Sequence, residues 1–369
     1  MNDSAKPSTS TRASRFGDGF DLGKMLLEGR AFFALIVIII VFSFLSPYYF
    51  AVENFLTMAS HVAIYGILAI GMLLVIINGG IDLSVGSTLG LSGVVAGFFL
   101  QGVTLNLFGV VLYPAVWVVV VLCCLLGAFI GLVNGVLIAR FKVPAFVATL
   151  GVMYVVRGLA LLMTNGLTYN NLGGHADLGN VGFNGLGFDR LFNVPVGVLI
   201  LAVIALLGSI MLTRTAFGRW LYGSGGNERA AQLSGVPVKR VQISVYMLSG
   251  VCAAIAGLIL SSQLTSAGPT AGTTYELTAI AAVVIGGASL MGGTGNIRGT
   301  LLGAFVIGFL SDGLVIIGIS SYWQTVFTGA VIVLAVLLNA VQYRRRVKPP
   351  SSTQGPSTPP KQQGNASTA

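Results

Sequence analysis

An all-α integral membrane protein, with about ten transmembrane helices and both termini cytoplasmic, is the fold class that three features of the sequence predict. Of 369 residues, 55% are hydrophobic and only 8% are charged, where a soluble domain carries about 25% charged residues. The apolar residues gather in runs long enough to cross a bilayer, about 20 residues each, and 50 glycines are scattered through those runs. Basic residues fall between the runs in a pattern that alternates sides. A soluble enzyme is excluded. The formal charge of +9 does not indicate a nucleic-acid partner, because cytoplasmic placement accounts for basic residues near span ends.

The chain divides into a polar N-terminal tail, 1–30, a membrane domain, 31–342, and a C-terminal tail, 343–369, which opens on Tyr343-Arg344-Arg345-Arg346 and is rich in Pro, Ser, Thr and Gln. That tail has little to bury and is expected to be disordered. No clear small-residue cleavage site follows the first apolar run, which therefore reads as an uncleaved span. The spans are predicted at about 31–47, 60–78, 86–101, 115–139, 144–163, 195–213, 241–262, 275–291, 299–317 and 323–342. With the N-terminus inside, all of the 20 basic residues except Arg157 and Arg190 lie on the cytoplasmic side. Removing one span would invert everything after it and spoil that pattern. The third span is glycine-rich, and 105–115 reads either as interfacial or as part of the fourth span.

Two cytoplasmic connections echo each other. Gly79-Gly80 is followed after five residues by Gly86-Ser87-Thr88-Leu89-Gly90, and Gly292-Gly293 likewise by Gly299-Thr300-Leu301-Leu302-Gly303. Either duplicated halves or coincidence in a glycine-rich chain gives this. Catalytic apparatus is not visible. The Gly23-Lys24 pair is followed by Met25, so no Walker A loop forms; no nucleophile elbow or zincin pattern occurs, and His61 and His175 stand apart. Cys123, Cys124 and Cys252 lie in apolar stretches without metal-ligand spacing, so no cofactor or metal is expected.

The long connection at about 214–240 contains a short helix signal. Asn227 can act as N-cap, Glu228 lies near the positive end of the helix dipole, and Gly235 can close the far end after Arg229 to Leu233. Such a helix between two spans reads as a docking element, or more simply as a capped polar loop.

The run Gly225-x-Asn227-Glu228-x-Ala230-Ala231-x-x-x-Gly235-Val-x-Val-x-Arg240, taken with Gly79-Gly80-Ile81-Asp82-Leu83-Ser84-Val85-Gly86-Ser87 and Ala281-Ala282-Val283-Val284-Ile285-Gly286-Gly287, resembles the permease subunit of the ribose, xylose and arabinose class of ABC importers. The resemblance covers about 31–342. It implies a non-catalytic, multi-pass permease of the bacterial inner (cytoplasmic) membrane, surrounded by lipid. Its implied partners are a separate ABC ATPase subunit, a periplasmic substrate-binding protein, and a second permease copy as homodimer or heterodimer. It further implies that Asn227, Glu228, Ala231 and Gly235 belong to a coupling helix flanked by Gly218, Arg219 and Arg240. The outside loop at 164–194 would offer part of the binding-protein platform. A branched-chain amino acid ABC permease and a proton-coupled carrier using Asp82, Glu276 or Asp312 are the alternatives, and the Gly-Gly-Ile-Asp-Leu-Ser-Val-Gly-Ser run leans to sugars.

Polar residues inside the membrane mark the candidate translocation path, because an ionisable group at the bilayer centre costs about 2.5–3.5 kcal/mol on insertion scales. Asp82 either caps the following helix or touches substrate. Arg157 either meets backbone carbonyls or a carboxylate, or contacts solute; an ion pair among Arg157, Glu276 and Asp312 is one arrangement. Tyr65, Asn78, Tyr154 and Gln263 are eligible by type and depth for a hydroxyl-rich solute, as are Asn165, Tyr275 and Trp323. Tyr48, Tyr49, Phe50 and Trp323 also suit interfacial anchors. Gly286-Gly287 and Gly127-x-x-x-Gly131 suit close helix contacts or breaks lining a cavity.

Overall fold

A computed structural model describes residues 30–105, 110–174 and 179–346. The tails at 1–29 and 347–369, and His175, lie outside the described residues. Helices dominate, and six of them are long and apolar enough to cross a membrane: α2 (Val52–Ile77), α4 (Val116–Ala139), α5 (Ala145–Thr164), α7 (Val196–Arg214), α10 (Val238–Gln263) and α12 (Ile297–Ile316). The remaining apolar helices are α1 (Arg30–Leu45), α3 (Val85–Leu100), α11 (Tyr275–Ile285) and α13 (Ser321–Arg346), in which the apolar stretches are shorter. They occupy the other four predicted positions. Two short helices join α7 to α10, α8 (Ala216–Gly226) and α9 (Glu228–Leu233), and a single turn, α6 (Gly185–Phe188), precedes α7.

Buried from Met58 to Ile77 on nearly every side, α2 is the core of the bundle. A helix that is apolar all round is one enclosed by other helices, and α10, α11, α12 and α7 enclose this one. It starts at Val52, earlier than the hydropathy places it, with Glu53 in its first turn. It stops at Gly79, whose φ of 83° lets the chain turn back. The Gly80 N–H then reaches the Val75 carbonyl at 3.0 Å and that of Gly79 the Ile76 carbonyl at 2.9 Å, which closes the end as a Schellman-type cap does.

Glycines bring backbones together elsewhere. Gly127, Gly131 and Gly135 run along the face of α4 against α10: a Cβ on Gly127 would meet the Gly250 backbone, one on Gly131 the Tyr246 carbonyl, and one on Gly135 would lie 2.7 Å from Ile243 Cα. Gly286 meets Gly299 in the same way. Both sets therefore serve close contact between elements. At 11 residues α11 is about 16 Å long, roughly half of a bilayer core. The predicted eighth span, 275–291, is thus a half-length helix flanked by irregular backbone.

Three small antiparallel ribbons depart from the all-α expectation. Val103–Leu105 (β1) pairs with Val110–Leu112 (β2), whose residues are exposed and precede α4 rather than belong to it. Tyr169–Asn170 (β3) pairs with Ser266–Ala267 (β6), and Arg190–Leu191 (β4) with Val194–Pro195 (β5). Connections sort by end. Ribbon β3–β6, the Leu172 N–H to Thr265 carbonyl bond and the Gln101 Nε2 to Asn170 carbonyl bond gather Gln101, 169–172 and 265–267. The Arg190–Glu53 ion pair at 2.8 Å adds the α1–α2 connection to that group. The turns at 78–84, 140–144, 214–240 and 286–296 meet one another at the other end.

Gly131→Val should destabilise the bundle by about 1–3 kcal/mol through forced separation of α4 and α10, read as a lower melting temperature of the detergent-purified protein. Gly158→Val, where a Cβ meets nothing within 4 Å, should leave that temperature nearly unchanged.

Candidate functional site

The segment between α7 and α10 is built from two short helices. Thr215 caps α8, its Oγ1 accepting from the Gly218 N–H at 3.3 Å. Gly218 is buried against the Leu212 backbone, where a Cβ does not fit. Asn227 closes α8 and opens α9 with its Oδ1 accepting from the Ala230 N–H at 2.9 Å, as the capping pattern predicts. Gly235, at φ 81°, ends α9, and the Val236 N–H returns to the Ala231 carbonyl at 3.0 Å. Ala231 is the residue by which α9 is seated, being buried. Arg219, Glu228 and Arg240 are exposed. Glu228 accepts from Gln232 Nε2 at 3.1 Å and from Lys142 Nζ at 3.1 Å, so the turn between α4 and α5 is tied to α9.

This segment is joined to the bundle by backbone. Gly225 lies directly beneath the Ile77 carbonyl and 2.9 Å, measured from its would-be Cβ, from the Gly293 nitrogen. The Ile77 carbonyl in turn accepts from the Gly293 N–H at 2.9 Å. Gly292 approaches Gly79 so closely that a Cβ on it would stand 3.1 Å from the Gly79 backbone. The two echoed glycine pairs thus touch. Tyr222 Oη donates to the Gly295 carbonyl at 2.7 Å, and burial raises the pKa of this phenol, keeping it a donor. Ser224 Oγ donates to Asn78 Oδ1 at 3.4 Å. Asn78, a path candidate by sequence, is therefore a joint between α2 and α8.

The other intramembrane candidates form separate groups. Asp82 is fully enclosed: Oδ1 accepts from the Ser84 N–H at 3.0 Å and Ser84 Oγ at 2.7 Å, and Oδ2 from Ser249 Oγ at 2.9 Å. Asn134 Nδ2 donates to Ser84 Oγ at 2.8 Å. Asp82 thus holds the α3 entry turn to α10, with α4 joined through Ser84. Arg157 Nη1 donates to the Pro269 carbonyl at 2.6 Å and the Ala271 carbonyl at 2.8 Å, the backbone-partner arrangement. Glu276 packs its carboxylate on Gly86. Tyr65 meets Tyr275 with ring centroids 5.2 Å apart, and Gln263 Nε2 donates to Ser60 Oγ at 2.9 Å. Tyr154 on α5 is 68% exposed. Asp312 pairs with His61 Nδ1 at 3.1 Å, and among the described residues no ion pair joins it to Arg157, nor Arg157 to Glu276.

Sequence reasoning missed Lys142, Tyr222, Gly225, Ser249 and Leu233. Leu233 is 85% exposed at the tip of α9, and an apolar residue inside a polar connection was a legible signal of it. For Gly225 the signal was lost among 50 glycines.

Residues 54–336 match the family described as "Branched-chain amino acid transport system / permease component". The chain is 44% identical over 315 residues to the ribose import permease protein RbsC of Escherichia coli, a match covering 85% of this chain and 94% of that protein. It is 42% identical over 319 residues to the ribose import permease protein RbsC of Haemophilus influenzae, covering 86% and 94%. The xylose transport system permease protein XylH of Escherichia coli is 35% identical over 373 aligned positions, covering 85% and 91%. No solved structure matches the chain.

Gly225→Ala should loosen the joint, raising amide hydrogen exchange at 222–226 and 292–295. Gly223→Ala, with open space at its Cβ, should leave exchange there unchanged.

Proposed function

The chain belongs to the family described as branched-chain amino acid transport system / permease component, and from that membership we propose that it is the permease subunit of an ABC importer carrying a monosaccharide or small polyol. The observation that carries this is identity of 35–44% over 84–86% of the chain to permeases named for ribose and xylose. That pentose naming also disfavours the branched-chain amino acid alternative. Against a proton carrier stands Asp82, whose two oxygens are both occupied by structural hydrogen bonds. The chain itself performs no chemistry on its cargo; ATP is hydrolysed by a separate ATPase subunit.

The membrane domain covers 31–342, with tails at 1–30 and 343–369. Ten crossings with both termini cytoplasmic are supported by the way connections sort. Those rich in basic residues meet at one end, and the ribbon-forming connections meet at the other, as alternation through ten spans requires. The ATPase subunit docks on 214–240, where Gly218, Arg219, Asn227, Glu228, Ala231, Gly235 and Arg240 shape and flank α9. A periplasmic binding protein delivers solute at the ribbon end, and a second permease copy completes the path. Tyr65, Gln263 and Glu276 line the reading of that path best, since they sit near the break before α11. Asn78, Asp82 and Arg157 support it from behind, and Tyr154 faces outward toward lipid or the second copy. Movement of α9 passes to α2 and to the α11–α12 connection through Gly225.

The test is reconstitution with candidate ATPase and binding-protein subunits, followed by uptake of a panel of sugars and polyols into proteoliposomes. Saturable, ATP-dependent uptake that requires the binding protein is expected; uptake that follows a proton gradient and ignores ATP would overturn the reading. Glu228→Lys places like charges together at Lys142 and should reduce transport without loss of membrane insertion. The swap Lys142→Glu with Glu228→Lys should recover part of it, and normal transport in the well-expressed single variant would refute the coupling role.

A further inference from the structure

A cleft of about 610 Å³ opens between the cytoplasmic ends of α7 and α12, with Tyr222 of α8 at its back. Arg214, the last residue of α7, and Arg298, the second of α12, both line it. Among the described residues neither arginine is in an ion pair, and no carboxylate lines the cleft. Leu212 and Ile297 form an apolar floor, both buried. On the membrane side the cleft continues into the exposed face of α7, where Ile210, Leu207 and Leu206 are 46%, 61% and 61% exposed.

Two guanidiniums lining one cleft match a phosphate group in charge and in the kind of donor it takes. Because both arginines terminate apolar helices, they stand at the level of the cytoplasmic headgroups. Basic pockets between transmembrane helices on that side suit anionic phospholipid. The continuous apolar track along α7 gives an acyl chain somewhere to lie, which neither a free anion nor an acidic protein surface needs. We propose that this cleft seats the headgroup of an anionic phospholipid, its phosphate held by Arg214 and Arg298 and its acyl chain lying along Ile210 and Leu207. The seat adjoins Tyr222 and Gly295, so occupancy braces the joint between α8 and the α11–α12 connection. The inference rests on the membrane placement alone and holds whatever solute is carried.

Native mass spectrometry of the delipidated full chain, titrated with phosphatidylglycerol or phosphatidylcholine, tests it. Phosphatidylglycerol should bind with the higher affinity, and the double variant R214Q/R298Q should weaken it about tenfold. The variant R229Q/K239Q, which removes two basic residues outside the cleft, should not. Equal weakening in both variants, equal binding of the two lipids, or binding of inorganic phosphate as tight as that of the lipid would overturn the proposal. Should R214Q/R298Q fail to fold, a photoactivatable phosphatidylglycerol reacted with the unaltered protein decides the matter. Crosslinks are expected within 206–222 and 296–298, and crosslinks found only elsewhere refute it.

Discussion

Close approach of α4 and α10 backbones across a row of glycines is the contact on which the bundle depends. Lipid tails are as apolar as leucine side chains, so burying an apolar face gains little inside a membrane. What remains is dispersion, which falls steeply with separation. Gly127, Gly131 and Gly135 let α4 lie against the backbone of Tyr246, Ile243 and Gly250. The same device recurs at Gly286 and Gly299, and at Gly257 against Leu89. A composition with 50 glycines, weak by helix propensity, is thereby a packing solution.

That solution has a mechanical consequence at the end where α8 and α9 lie. A joint of side chains can repack, whereas a backbone carbonyl packed directly on Gly225 and bonded to the Gly293 N–H has little room to yield. α8, α2 and the α11–α12 connection therefore share one tight backbone contact. Lys142 adds a softer tie through Glu228. Both groups of that pair are well exposed, so it contributes about 0–1 kcal/mol and acts as a register contact.

Much of this was legible in the sequence because membrane insertion writes a simple code. Hydropathy located the apolar helices, and the Asn227 cap and Gly235 stop located α9 to within a residue. Less legible was anything depending on what lies opposite. The α8 helix, Ala-Phe-Gly-Arg-Trp-Leu-Tyr-Gly-Ser-Gly-Gly, is poor in helix formers and is held by Thr215 and by packing of Leu221. The half-length of α11 was hidden because 286–291 is still partly apolar, while the turn that ends it has Gly286 packed against Gly299 of α12 and Gly287 at positive φ. Asp82, open by sequence between a helix cap and a substrate contact, accepts from the Ser84 N–H in the turn before α3, and its bond to Ser249, 167 residues away, has no local signal.

The break before α11 shows how such a chain accommodates irregular backbone at depth. Extended backbone in hydrocarbon leaves carbonyls unpaired at a cost of several kcal/mol each, so it persists only inside protein or beside water. Here one guanidinium supplies the missing donors, since Arg157 Nη1 reaches both the Pro269 and the Ala271 carbonyls. The arginine is itself kept in the membrane by those carbonyls, each group meeting the other's need. Gly90 leaves the space through which Arg157 approaches, because a Cβ there would stand 2.9 Å from Nη1. Glycine, arginine and unwound segment thus form one unit, and it holds the start of α11, with Tyr275 and Glu276, in a fixed position beside Tyr65. A change at any one of the three removes the support of the other two.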